Sequence, residues 1–144
     1  MEEINVLDEL CKGASMGIDA ISFIMDKVDD KNLKKELKNQ LNKYKDIKDE
    51  IFTLYPDYSD KSPHETSSLN KIFTWYGISI KTTMDDSTSK IAELLIKGTN
   101  MGIIEGVRLQ NQNKSNNLNE NVRQILNDFV AMQEDSVETL KKYL

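Results

Sequence analysis

The sequence contains few of the residues that form disulfides or activate a nucleophile. Its 144 residues include one cysteine, Cys11, and one histidine, His64. A single cysteine excludes an internal disulfide, and we expect this thiol to serve as a small buried hydrophobe. The histidine is distant in sequence, so nothing indicates a thiolate activated by a base. We therefore expect an apolar core, without disulfides, to hold the fold together.

Long apolar runs and an excess of positive charge are also missing. No segment approaches the ~20 apolar residues that span a bilayer, and the acidic N-terminus lacks the apolar region of a signal peptide. The formal net charge is −5. The lysines between residues 34 and 48 alternate with acidic residues, so no basic stripe indicates nucleic-acid binding. We expect a cytoplasmic protein that binds neither nucleic acid nor membrane.

The sequence does carry helical spacing of apolar residues along most of its length. Steps of three and four residues recur over 4–28 and 31–55, over about 88–112, and from about Leu118 to the C-terminus. This spacing predicts four long amphipathic helices. No segment alternates as a strand does. We therefore expect an all-α chain forming one domain over 1–144.

Polar residues mark where these helices begin. Asp29 and Asp30 predict a tight turn and an N-cap between the first two long helices. Ser62, Pro63 and Glu65 have the spacing of a capping box with proline at the first helical position. They predict a further helix in the segment that connects the two halves of the chain.

One motif occurs twice, as KGASMG from residue 12 and as KGTNMG from residue 97, which lie 85 positions apart. This recurrence predicts an internal repeat, of residues about 1–55 and about 86–144, joined by a crossover segment, 56–85. The same offset aligns other residues of the two halves without a gap: Leu10 with Leu95, Leu33 with Leu118, Leu41 with Leu126, and Asn42 with Asn127.

Two equivalent hairpins pack most simply about a pseudo-twofold axis. A crossover helix of ~20 residues covers about 30 Å, enough to return the chain to its starting end. This arrangement resembles the ferritin-like superfamily, and the resemblance implies a four-helix bundle with one long crossover. Its di-iron members carry a glutamate on the first and third helices and Glu-x-x-His on the second and fourth. This chain contains no Glu-x-x-His, so we expect no di-iron chemistry.

Four carboxylates are the candidate metal ligands. Asp8 and Glu50 are level across the first predicted hairpin, and the repeat places Glu93 and Asp135 equivalently in the second. Oxygen ligands from four helices would suit a hard cation. The alternative is four solvated residues at the rim of the bundle, and we expect no metal and no cofactor.

The glycines of the repeated motif predict a contact between helices. Each costs about 1 kcal/mol relative to alanine in a helix interior, which requires an offsetting gain. We expect the first and third helices to cross at these glycines, with Met16 and Met101 filling the space beside them. The glycines form two i, i+4 pairs: Gly13 with Gly17, and Gly98 with Gly102.

Trp75 and Ile78 lie on the side of the crossover helix opposite its apolar face. Two interpretations stay open, because such residues are either partly covered by a loop or form a contact between subunits.

Together these patterns predict a non-catalytic helical-bundle protein that acts through self-association or a protein partner. No phosphate-binding loop, nucleophile motif or zinc spacing is present in the sequence. Two alternatives remain: a metal-binding protein that uses carboxylates only, and a carrier of an apolar ligand whose interior is lined by Met16 and Met101.

Overall fold

The computed structural model describes residues 2–63, 74–77, 79, 85–115 and 117–144. All regular structure in these ranges is helical, which confirms the all-α prediction. Short 3-10 turns follow the second and fourth long helices. The long helices are, in chain order, α1 (Glu2–Met25), α2 (Lys31–Leu54), α3 (Thr88–Gln112) and α4 (Glu120–Leu140), and the turns are Tyr55–Asp57 and Lys141–Tyr143.

Side-chain caps fix where several of these helices begin. The Asp30 carboxylate accepts a hydrogen bond from the backbone N–H of Leu33 at 2.8 Å. Ser87 and Asn119 cap α3 and α4 in the same way. Each cap satisfies a backbone donor that the first helical turn leaves unpaired. The predicted N-cap at Asp30 is confirmed, whereas the capping box that needs Glu65 lies outside the described residues.

The long helices pack as two hairpins that share one core. Short turns join α1 to α2 and α3 to α4; α1 also contacts α3 and α4, and α2 contacts α4. Buried apolar residues from all four helices form one continuous cluster. Each helix buries one face and leaves the other in solvent. Among the helices in the described ranges, none is long and apolar enough to cross a membrane.

Residues 85 positions apart are buried in pairs across the two hairpins. The rings of one such pair, Tyr44 and Phe129, meet edge to face with centroids 6.2 Å apart. The register differs at the loop, because α4 begins later than this offset from the start of α2 would place it. Other pairs in which both members are buried are Val6 with Ile91, Leu7 with Ala92, Leu10 with Leu95, Ile24 with Leu109, and Leu37 with Val122.

Candidate functional site

The glycines of the first motif face side chains of α2 and α4. A Cβ atom placed on Gly17 would lie 2.6 Å from Cζ of Tyr44. One placed on Gly13 would lie 3.0 Å from Cζ of Phe129. Real Cβ atoms essentially never come as close to a ring as at Gly17, so that position needs a residue without a side chain, whereas at Gly13 a small shift of the Phe129 ring would be needed.

The glycines of the second motif make room for polar groups. A Cβ atom on Gly98 would lie 2.6 Å from the hydroxyl oxygen of Tyr76, in the segment 74–77. One on Gly102 would collide with the carboxamide of Gln133 on α4. The two motifs therefore receive groups of different chemistry, aromatic rings in α1 and hydrogen-bonding groups in α3.

The predicted glycine crossing between α1 and α3 is wrong in its contacts. The two helices do touch, but the atoms nearest to the glycine Cβ positions belong to α2, α4 and the segment 74–77. Met16 and Met101 do not fill space in the core either, because they are 38% and 57% exposed. An i, i+4 spacing places two glycines on one face of a helix. It does not specify whether a backbone or a side chain will pack there.

Tyr44 lies at the centre of a buried polar cluster. The Gln133 Nε2 atom donates a hydrogen bond to the Tyr44 hydroxyl at 3.3 Å, and the Thr99 side chain also bonds to Tyr44. Burial raises the pKa of Tyr44, and these two hydrogen bonds oppose the shift. Burial and the nearby Tyr44 phenol raise the pKa of Tyr76. Both phenols therefore stay protonated at neutral pH and act as hydrogen-bonding groups, not as bases.

The carboxamide of Gln133 is only partly satisfied. Its side chain is buried against Gly102, and its Oε1 atom has no hydrogen-bond partner among the described residues. A buried acceptor without a donor costs roughly 1–3 kcal/mol. This burial was not predictable from the sequence, because Gln133 is polar and the residue 85 positions before it is the charged Lys48, which is only half-buried.

Two of the four candidate metal ligands, Glu50 and Asp135, are exposed. A third, Asp8, accepts a hydrogen bond from the hydroxyl of Tyr55 at 2.9 Å. Burial raises the pKa of Tyr55, and the bond to the Asp8 carboxylate raises it further. Asp8 is thus engaged with the 3-10 turn that follows α2.

The fourth candidate, Glu93, pairs with two lysines of its own helix. It accepts a hydrogen bond from Lys90 and lies 3.7 Å from the Lys97 ammonium nitrogen. The hydrogen bond from Lys90 is the main cause that lowers the pKa of Glu93. In the described part of the chain, no three His, Cys, Asp or Glu side chains are grouped so that they could hold a metal ion. The four carboxylates therefore do not share one zone.

The remaining candidate residues fall partly outside the described ranges. Cys11 is fully buried, as predicted. Trp75 is 36% exposed and stacks edge to face on Tyr76, with ring centroids 4.6 Å apart. His64 and Ile78 lie outside the described residues. Both interpretations of Trp75, partial cover by a loop and a contact between subunits, thus stay predictions.

The middle of α3 presents apolar side chains to solvent. Met101 and Ile104 are 57% and 51% exposed. Charged side chains flank them: Lys97, Glu105 and Arg108, of which Glu105 accepts a hydrogen bond from Arg108. At 3.6 residues per turn these five side chains fall within an arc of about 100°. We call these five residues the α3 outer face.

A surface depression between α2 and the C-terminal turn does not suit an apolar ligand. Its walls are mainly charged and amide side chains. The residues that were expected to line an interior ligand site, Met16 and Met101, are on the surface instead. The depression is lined by Asn32, Lys35, Glu36, Asn39, Lys142 and Tyr143.

Comparison with known proteins finds no relative of this chain. No protein-family model, curated protein or solved structure matches the chain. Its function has to be argued from its own residues and surfaces.

Proposed function

We propose that this chain is a non-catalytic helical bundle, formed by two repeated hairpins in a ferritin-like arrangement, that acts by self-association. The paired burial of positions 85 apart supports the repeat. The contact between Tyr44 and Phe129 supports a pseudo-twofold axis. In a twofold arrangement, residues beside the axis are the ones that meet their own equivalents.

The α3 outer face is the observation that carries self-association. Single exposed apolar residues are normal on protein surfaces. Met101 and Ile104, however, lie together in the middle of a 25-residue helix, and charged residues border them. An apolar centre with a polar rim is the usual composition of a protein interface.

The buried polar groups fit a structural role better than a chemical one. Tyr44 and Tyr76 keep their protons at neutral pH because burial raises their pKa values. Cys11 is fully buried. Nothing in the described ranges favours the carboxylate metal site or the apolar-ligand carrier over association through the surface.

Sedimentation equilibrium between about 1 μM and about 1 mM tests this function. We expect the average mass of the wild type to rise with concentration. Met101→Glu should raise the dissociation constant at least about tenfold, because it places a charge at an apolar contact. The matched control is Phe52→Glu, since Phe52 is an exposed apolar residue, 40% accessible, on α2.

Two results would overturn the proposal. One is a wild type that stays monomeric over the whole range. The other is an equal loss of association in Met101→Glu and Phe52→Glu, which would indicate non-specific contact between apolar residues. Circular dichroism of each variant must match the wild type, so that a change in mass reports association and not unfolding.

A further inference from the structure

The charges on the solvent side of α3 have a self-complementary order around Met101. Lys97 stands four residues before this methionine, and Glu105 four residues after it. Further out, Glu93 stands eight residues before it and Arg108 seven after. The inner pair, at four residues on either side of Met101, is thus of opposite charge, and the outer pair, one residue out of step, is of opposite charge too.

Building on the self-association proposed above, we propose that a second copy docks antiparallel along α3, with Met101 of both copies on the twofold axis. Lys97 then faces Glu105 of the partner subunit, and Glu93 lies almost level with Arg108 of the partner subunit. The symmetry forms each ion pair twice. The two methionines and the adjacent Ile104 side chains form the apolar centre, and the charged pairs form its rim.

Two other alignments of the helices bring like charges together. A parallel arrangement sets Lys97 against Lys97 of the partner subunit and Glu105 against Glu105 of the partner subunit. An antiparallel register centred between Met101 and Ile104 sets Lys97 against Arg108 of the partner subunit. Opposed like charges weaken an interface and select against the wrong partner or register. The charge pattern thus favours the register centred on Met101.

The size of this surface sets the expected strength of the dimer. The stretch from Lys97 to Arg108 is about 18 Å long at 1.5 Å per residue, and it offers one helix face. Such a contact lies at the low end of specific interfaces. We expect a dissociation constant in the micromolar range or weaker, which rises with salt because the rim pairs are exposed.

Cysteine cross-linking tests the register directly. In Met101→Cys the two thiols lie beside the twofold axis, where Cα atoms can approach within the roughly 7 Å that a disulfide requires. Arg108→Cys is the matched control, on the same face and similarly exposed. In the proposed register the two copies of position 108 are about 21 Å apart. Mild oxidation should link Met101→Cys chains and leave Arg108→Cys chains unlinked; the wild type controls for the buried Cys11.

Mixing of charge-reversed chains tests the ion pairs. Lys97→Glu and Glu105→Lys should each raise the dissociation constant about tenfold, since each replaces two attractions by two repulsions in the dimer. An equimolar mixture should associate about as well as the wild type, because every rim pair is again of opposite charge. Changes to the pairs within α3, such as Lys97 with Glu93, persist in the mixture, so recovery reports contact between chains.

The outcomes separate this inference from the function on which it rests. A monomeric wild type would overturn both. A wild type that associates, but in which position 108 cross-links as readily as position 101, would overturn the register and leave self-association standing. A mixture of Lys97→Glu and Glu105→Lys chains that associates no better than either variant alone would also overturn the register and leave self-association standing.

Discussion

In the first hairpin Gly17 lies against the ring of Tyr44, whereas in the second the equivalent Gly102 lies against the carboxamide of Gln133. Glycines 85 positions apart thus admit a rigid aromatic group in one half and a flexible polar one in the other. The glycine preserves close approach of the helices, and the residue opposite it is free to differ.

The outer surfaces of the two hairpins differ more strongly. At 85 positions before Ile104, α1 carries Asp19, and at 85 positions before Arg108 it carries Phe23. The Phe23 ring packs 6.2 Å from that of Tyr76, and the Lys27 ammonium lies 4.1 Å above it. The segment 74–77 thus occupies part of the α1 surface. Met16 and Met101, 85 positions apart, are exposed in both hairpins, so the two outer surfaces differ through the neighbours of these methionines, such as Asp19 against Ile104.

The largest expected effect on stability comes from replacing a glycine of the first motif by alanine. Gly17→Ala should lower the free energy of unfolding by about 2 kcal/mol, because the new methyl group meets the fixed ring of Tyr44. Gly102→Ala should cost about 1 kcal/mol or less, since the end of a glutamine side chain can move aside. Urea unfolding at neutral pH measures both.

Gly77→Ala is the matched control for the two motif variants. Among the described residues, and apart from the chain next to it, no atom lies within 4 Å of a Cβ placed there, so the better helix propensity of alanine should leave stability equal or higher by up to about 1 kcal/mol. Equal costs for Gly17→Ala and Gly102→Ala would contradict the proposed difference between the motifs.

Alkaline pH should destabilise the protein through two buried phenols, one in the first hairpin and one in the segment 74–77. Burial raises the pKa of Tyr44 and of Tyr76 above the ordinary value of 10.0. The unfolded chain therefore loses these protons first, so stability holds below about pH 10 and falls above it. The slope is about 1.4 kcal/mol per pH unit for each phenol.

Tyr44→Phe and Tyr76→Phe should each remove one phenol's share of this slope in urea unfolding between about pH 8 and pH 11. The second hairpin has Phe129 at 85 positions after Tyr44. Phenylalanine does not titrate, so this residue adds nothing to the slope. An unchanged slope in both variants would mean that other groups cause the loss of stability at alkaline pH.

The helix caps of the two hairpins should differ in strength. The Asp30 side chain accepts from Leu33 N at 2.8 Å, whereas the Asn119 side chain accepts from Asn121 N at 3.3 Å. We expect Asp30→Ala to cost about 1 kcal/mol and Asn119→Ala about half as much. Thermal unfolding of the two variants at one pH gives the ranking, and the reverse order would contradict it.

The smallest effect is expected where Gln133 is replaced by an apolar residue of similar size. Gln133→Leu removes the unpaired Oε1 atom together with the bond to Tyr44, so the free energy of unfolding should change by less than about 1 kcal/mol. Gln133→Ala, which leaves a cavity, should cost more than Gln133→Leu. A large loss in Gln133→Leu would mean that the carboxamide stabilises the core.

Local features of the fold were predictable from the sequence because their causes are local. Apolar spacing and caps such as Asp30 act within a few residues, and the third helix lies where its spacing placed it, at Thr88–Gln112. The burial of Cys11 followed from its apolar neighbours. The repeat offset also matched residues that are buried together, such as Leu10 and Leu95.

The contacts between helices were not predictable in the same way. Spacing places Gly98 and Gly102 on one face, but the rotation and offset of the neighbouring helices decide that Tyr76 and Gln133 lie opposite them. The exposure of Met101 was not predictable either, because methionine fits equally well in a core and at an interface. Such properties belong to the packed chain and not to any one helix.

The most direct test copies the outer surface of the first hairpin onto the second. Ile104→Asp gives α3 the residue that α1 carries at position 19. In sedimentation equilibrium we predict that the wild type associates as concentration rises and that Ile104→Asp raises the dissociation constant at least about tenfold. The same dissociation constant for the two proteins would contradict the claim that the α3 outer face is where this chain self-associates.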